Sequence, residues 1–343
     1  DINQMAVLRG PQGTLYGLNS EGGLIIIDSE NPIEAVKKGA PRFTAHVGVE
    51  NHGGQTFEGS YTLPLCSNMA FSAKAFYHKS NGFQRNSFLN ERADDIQEGG
   101  AKVRIAWNPT ERLHLSFLGD IQRVEQSGFG YGLATPVDGN VYGDSIARPS
   151  TNMTGKYYRT TSDFGLNAVY NMGDWRLQST TSFQYLNDDM KMDQDYTPRQ
   201  LMHLTQHQRG KALTEELNMK GRITDKWLVS NGLYAAQQWL TAISPVYFDR
   251  DFTNNLSNTI KMGMLTPMVK GMVAKQVAEA IDKATVGMPP EQAAIVAQQM
   301  QEQLTPTMTT QMMAAMSAAT LVNTKMANPG VYRTPMTNIG IFH

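Results

Sequence analysis

One cysteine in 343 residues excludes an internal disulfide and any CxxC site, and Cys66 reads most simply as a small packed residue. Charge is scarce too. Charged residues make up 18% of the chain and the formal net charge is −1, below the usual quarter, so no basic patch argues for nucleic acid. No apolar run reaches the length of a membrane helix, so the chain can meet a bilayer only as a barrel. GxSxG, HExxH and a Rossmann fingerprint are missing and the carboxylates are scattered, so the chain reads as a non-enzyme with no cofactor and no metal centre. No leader segment is present and Asp1 is not an initiator, which reads as a processed or truncated start.

What is present is alternation. In Arg42 to Glu50, Phe43, Ala45, Val47 and Val49 point one way while Thr44, His46, Gly48 and Glu50 point the other. The pattern returns in Thr56 to Leu63, Met69 to Tyr77, Ala101 to Trp107, Leu113 to Ile121, Phe164 to Tyr170, Trp175 to Tyr185, Leu213 to Met219, Trp227 to Ala235 and Thr337 to Phe342. Period two over such lengths predicts about ten strands with one apolar face each.

The connections are sorted. Pro64 to Asn68, Asn108 to Arg112, Asn171 to Asp174 and Arg222 to Lys226 are tight turns, whereas Asn81 to Gln97, Glu125 to Lys156, Lys191 to Gly210 and Thr241 to Thr334 are long. Short turns on one rim and long loops on the other belong to outer-membrane barrels, with the turns periplasmic. Trp107, Trp175 and Trp227 fall beside tight turns and Trp239 at the opposite end, as an interfacial aromatic girdle requires. A soluble β-sandwich has no reason to sort its loops in this way.

The chain begins differently. Val7 to Asn31 holds two apolar runs, Val7-Leu8 and Leu24 to Ile27, around Gly10, Pro11, Gly13, Gly17, Gly22 and Gly23. Glycine permits positive φ and proline fixes φ, so the stretch reads as strand, tight turns, strand, and the second run, lacking alternation, reads as covered on both faces. It is no phosphate loop. VLRGPQGTLYG, then NSEGG, an apolar strand and Asn31-Pro32, closely resembles the end of the plug domain of TonB-dependent outer-membrane receptors, nearest the siderophore, haem and cobalamin branch. Leu18 and Asp28 depart from the family's usual Arg and hydroxyl or amide residue without breaking the pattern.

The resemblance implies an all-β fold: a transmembrane antiparallel β-barrel, here about ten strands of the roughly 22 that a plugged transporter needs, with the C-terminal part of a plug. Residues 1–31 would be the plug segment, 32–41 a connector and 42–343 the first part of the barrel. The chain is then an internal fragment, cut within a strand at His343 and lacking the segment that binds TonB. The plug motif would comprise Arg9, Gly10, Pro11, Gly13, Tyr16, Gly17, Gly22 and Gly23. Leu213 to Leu240 is similar to a recurrent barrel stretch of the family, and alternation turns Glu216 into the lumen, where it can meet Arg9 as a plug–barrel latch or simply face water. Glu215 would then face lipid, tolerable only near the outer rim. The implied function is import of a scarce nutrient, foremost a ferric siderophore, across the outer membrane of a Gram-negative bacterium, with TonB and outer-membrane lipid as partners. A passive or adhesive barrel is the alternative.

The long loops would hold the ligand. Phe129, Tyr131 and Tyr142 lie among glycines and suit stacking on a flat ligand. His203 and His207 have an i, i+4 spacing, but without a helix or an intervening Glu they read as a solvated pair. Residues 241–334 hold eleven of the twenty methionines. Pro267, Pro290 and Pro306 mark possible helix starts, and Met264, Met268, Met272 and Met308, Met312, Met316 form stripes, predicting two or three helices inserted in an extracellular loop. Helix packing, Cu(I) binding by thioethers or docking of a surface lipoprotein would each use such stripes.

Overall fold

The computed structural model describes residues 2–11, 22–36, 39–132, 148–318, 327–328 and 331–342. The chain divides into two units, residues 1–197, 204–245 and 329–343 in one and 198–203 and 246–328 in the other.

The first unit opens on a two-stranded ribbon. β1 (Ile2–Arg9) pairs antiparallel with β2 (Gly23–Ser29), with Arg9 opposite Gly23. Gly23 has φ +121°, and a Cβ there would lie 2.5 Å from the Leu8 carbonyl oxygen, so no other residue fits. Burial on both faces is not found: Met5, Val7, Ile25 and Ile27 are each more than half exposed, because a two-stranded ribbon has no second layer to cover both faces. Asn31 then accepts a bond from the Ile33 amide at 3.0 Å and caps one helical turn, α1 (Pro32–Ala35), with Pro32 at its start. The polar connector therefore begins as a capped turn, and Asn31-Pro32 is the signal for it.

The rest of this unit is one antiparallel sheet. Its strands are β3 (Arg42–Glu50), β4 (Gly54–Cys66), β5 (Met69–Ser80), β8 (Ile96–Trp107), β9 (Leu113–Gln126), β10 (Lys156–Met172), β11 (Trp175–Asp193), β12 (Met202–Thr224), β13 (Trp227–Ile243) and β16 (Val331–Phe342), paired in that order. Short β6 (Arg85–Asn86) and β7 (Glu91–Arg92) pair separately inside one loop. All ten expected strands are present. Most run well past the apolar stretch that announced them, and β12 begins at Met202 although its alternation starts at Leu213.

The two faces of the sheet differ. Phe43, Phe57, Phe117, Phe164, Leu213, Leu217 and Leu233 stand exposed on the outer face, and cross-strand registers bring their neighbours to the same side. Lys74, Lys102, Arg104, Asn167 and Glu216, of opposite parity, line the inner face. Trp107 ends β8, and Trp175 and Trp227 open β11 and β13, all at the rim of tight turns. The Trp175 ring lies flat on β12: a Cβ at Gly221 would be 2.1 Å from it, so this glycine makes the room. Cys66 is exposed rather than packed, since it ends β4 at a turn, where its thiol donates to Asn68 Oδ1 at 3.0 Å.

The second unit is largely helical. α2 (Arg250–Ile260) runs without a break in helical backbone into a π-turn at Lys261–Leu265 and on into α3 (Thr266–Thr285). Pro267 lacks an N–H and its ring would press on the preceding turn, and the wider π-turn relieves that conflict. α4 (Pro290–Ala318) starts at Pro290 as expected but carries Pro306 inside it, so Pro306 does not begin a third helix. Val269, Val273 and Val277 of α3 are buried against Leu304, Met308, Met312, Met313 and Met316 of α4. The second methionine stripe is thus packing, whereas Met264 and Met268 are 70% and 51% exposed. Two further strands, β14 (Val246–Phe248) and β15 (Ala327–Asn328), close this unit as an antiparallel pair.

Candidate functional site

The inner face holds the end of the ribbon by its backbone and one ion pair. Arg104 on β8 donates through one terminal nitrogen to the carbonyls of Ser29 (3.0 Å) and Glu30 (3.2 Å), and through Nε to Ser116 Oγ (3.1 Å). Lys102 reaches Ser29 Oγ at 3.4 Å. Arg42 at the head of β3 forms a two-pronged pair with Glu30, at 3.0 and 2.8 Å, the geometry for which a guanidinium is suited. Beside them, Lys74 pairs with Glu58 at 2.9 Å. A cavity of about 240 Å³ lies between, bounded by Ile27, Ser29, Glu30, Pro32, Ser60, Lys102 and Arg104.

None of these anchors was named from sequence; inward parity of Lys102 and Arg104 was the available signal. Arg9 and Glu216 are not brought together. Arg9 ends β1 with an exposed side chain and no ion pair among the described residues, and Glu216 accepts a bond from Asn218. Of the motif positions, Gly10 takes φ +83° and Pro11 and Gly22 flank the gap, while Gly13, Tyr16 and Gly17 lie outside the described residues.

At the long-loop rim the connections knit together. Buried Asn86 donates to Thr151 Oγ1 (2.8 Å) and its carbonyl (3.0 Å), Thr154 donates to Glu91 (3.0 Å), and the Asn152 amide meets the Thr197 carbonyl (3.1 Å). Phe129 and Tyr131 do form an aromatic group, with ring centres 6.4 Å apart. Tyr196 joins them edge-on at 5.5 Å from Tyr131, a member that loop-by-loop reading missed because it comes from another loop. Tyr142 lies outside the described residues. Tyr157 turns inward and donates to Asp188 at 3.4 Å.

His203 and His207 both sit on β12, where residues four apart are about 13 Å apart, so they cannot share one ion. Each pairs instead with a carboxylate, His203 with Asp249 (2.8 Å) and His207 with Asp189 (2.5 Å). Among the described residues no group of three or more His, Cys, Asp or Glu is placed to hold a metal, and no helix is long and apolar enough to cross a membrane.

An apolar outer face, sorted loops and a ribbon tethered to the inner face define the architecture, and solved structures share its fold. The ferric yersiniabactin uptake receptor FyuA of Yersinia pestis superposes with a TM-score of 0.62 at 18% identity, over 72% of this chain and 38% of that one. The fold is that of the TonB-dependent outer-membrane receptors. The ferripyoverdine receptor of the outer membrane of Pseudomonas aeruginosa gives 0.53 at 14% identity, over 72% and 33%. A ferrioxamine receptor of Yersinia enterocolitica is 27% identical over 147 residues, 43% of this chain and 19% of that protein. No family model matches. The chain spans less than a fifth of this curated relative and between a third and two fifths of these solved structures. A receptor of this fold sits in the outer membrane of a Gram-negative bacterium.

In that setting Glu215 is notable. It lies on the outer face between Leu213 and Leu217, and its two oxygens accept bonds from Ser179 (2.7 Å) and Thr181 (2.5 Å) on β11. The hydroxyls answer the difficulty of a carboxylate on the apolar face of this receptor fold, since a charge out of water is tolerable only when hydrogen-bonded. Replacing both hydroxyls, Ser179→Ala with Thr181→Val, is expected to cost about 3 kcal/mol, because it strands the charge, whereas Glu215→Leu is expected to be neutral or stabilising. Heat-shift unfolding in detergent measures both; equal losses would reject the clamp.

Proposed function

We propose that this chain is part of a transporter that imports a ferric siderophore across the outer membrane, energised through TonB by the proton-motive force. The observation that carries the reading is the ribbon and capped turn tethered to the polar inner face, since a passive or adhesive barrel has no use for an internal obstruction. On this reading residues 1–31 end the plug, 32–41 connect it, and 42–343 belong to the barrel wall, with 241–334 a helical extracellular insertion. The names of the relatives support the cargo class: ferrioxamine, ferric yersiniabactin and ferripyoverdine are all ferric siderophores. Nothing in the site calls for bond-making chemistry, and the relatives are receptors.

TonB must stabilise the released plug relative to the docked one, or no path opens. The latch between Arg9 and Glu216 belongs to this proposal, as a contact that would add to the Arg104 anchor. Phe129, Tyr131 and Tyr196, with Tyr142, would meet the chelate, and the exposed methionines of α3 suit a surface lipoprotein. The test is uptake of labelled ferric siderophores, haem and cobalamin by cells carrying the full receptor, with and without working TonB. Uptake of one siderophore that vanishes without TonB is expected; binding without TonB-dependent uptake would favour an adhesive barrel.

A further inference from the structure

A second cavity, of about 350 Å³, lies on the inner face towards the rim of tight turns, between Asn31 and strands β8 to β11. Its lining differs in kind from the first. Two guanidiniums, Arg104 and Arg176, one imidazole, His114, and four carboxamides border it, and no carboxylate does. In the first cavity each cation is answered, Lys74 by Glu58 and Lys102 and Arg104 by the ribbon.

Here the open donors outnumber the open acceptors; Asn167 is the exception, its NH₂ donating to Thr180 Oγ1 at 2.8 Å and its carbonyl oxygen having no donor among the described residues. Asn31 Oδ1 is held by the Ile33 amide, and its NH₂ has no partner among the described residues. Asn108 Oδ1 lies 2.9 Å from His114 Nδ1; with the proton on that nitrogen, the Asn108 NH₂ has no partner among the described residues either. Arg104 uses Nε and one terminal nitrogen, leaving the other without a partner among the described contacts. Among the described residues Arg176 makes one contact, to Gln178 at 3.3 Å. Donors surplus to acceptors, around a cavity within the size range of small-ligand sites, call for an oxyanion.

We infer that this cavity is an anion site, taking a small polycarboxylate or the anionic oxygens of a chelate. It deepens the transporter reading and rests on it only for its role: the site would receive a negatively charged chelate below the ribbon and favour it over an uncharged trihydroxamate chelate.

Binding itself can be tested without transport. Isothermal titration of citrate into the purified chain in detergent at low salt is expected to show one saturable site that weakens as salt is raised. Arg176→Gln is expected to weaken it about tenfold, Arg176→Lys by less, and Arg222→Gln, on the same face but outside the cavity, within twofold. Absence of saturable binding, an unchanged Arg176→Gln, or an equal loss in Arg222→Gln would overturn the site. Failed siderophore uptake with citrate binding intact would remove the transporter reading and leave the site standing.

Discussion

Arg104→Met is expected to release the end of the ribbon from the wall. Methionine keeps much of the side chain's bulk but removes three bonds, two of them to the carbonyls of Ser29 and Glu30. Hydrogen bonds from a charged donor contribute about 1.5–3 kcal/mol each. Two lost at one segment should therefore raise its detached population by roughly a hundredfold, at 1.4 kcal/mol per decade. Glu30→Gln should do less, about fivefold, because the Glu30–Arg42 pair is about a third exposed and solvent weakens it. Hydrogen exchange of the β2 amides reads the detachment, and leak of large antibiotics into cells reads its consequence for the full receptor. Unchanged exchange in Arg104→Met would show that the ribbon is held elsewhere. Arg9→Ala belongs in the same assay: a loss as large as that of Arg104→Met would support the latch with Glu216, and no change would leave the attachment to β8 and β3.

The second large effect is expected in the helical unit. Val273 has no exposed surface and sits at the centre of the contact between α3 and α4. Val273→Asp places a carboxylate without a partner in a core that contains three buried valines, at a cost of several kcal/mol. A helical pair with so small a core should not survive it. Far-UV circular dichroism is expected to lose most of its helical signal while the sheet signal stays. Trypsin should then cut at Lys270, Lys275 and Lys283, and β8 to β13 should remain resistant. Retained helicity would mean that other contacts carry the insertion. Met264→Leu, exposed in the π-turn, and Met268→Leu, on the exposed side of α3, are the matched controls and should change neither signal.

Much of the fold was legible because a bilayer imposes a strict rule on strands. Each strand announced itself where its alternate side chains must be apolar, which is why Leu213 to Met219 stood out and Met202 to Ala212 did not. The upper parts of β10, β11 and β12 carry polar residues on both faces, so their pairing is visible only once neighbours are in place. The helices were legible from methionine spacing and prolines, but which stripe is buried was not: Met264, Met268 and Met272 repeat as regularly as Met308, Met312 and Met316, and valines offset by one residue took the core instead. The anchor was hidden for another reason. Arg104 binds backbone carbonyls about 75 residues away in sequence, and carbonyls leave no mark in a sequence.

The hydroxyl clamp on Glu215 has a consequence for how the wall is assembled. A lone β12 entering hydrocarbon would carry a bare carboxylate with it, and the same strand already joined to β11 carries one that is capped. The joined pair brings a capped carboxylate to the bilayer where a lone β12 would bring a bare one, so β11 and β12 are expected to cross the membrane boundary together, as one stitched hairpin.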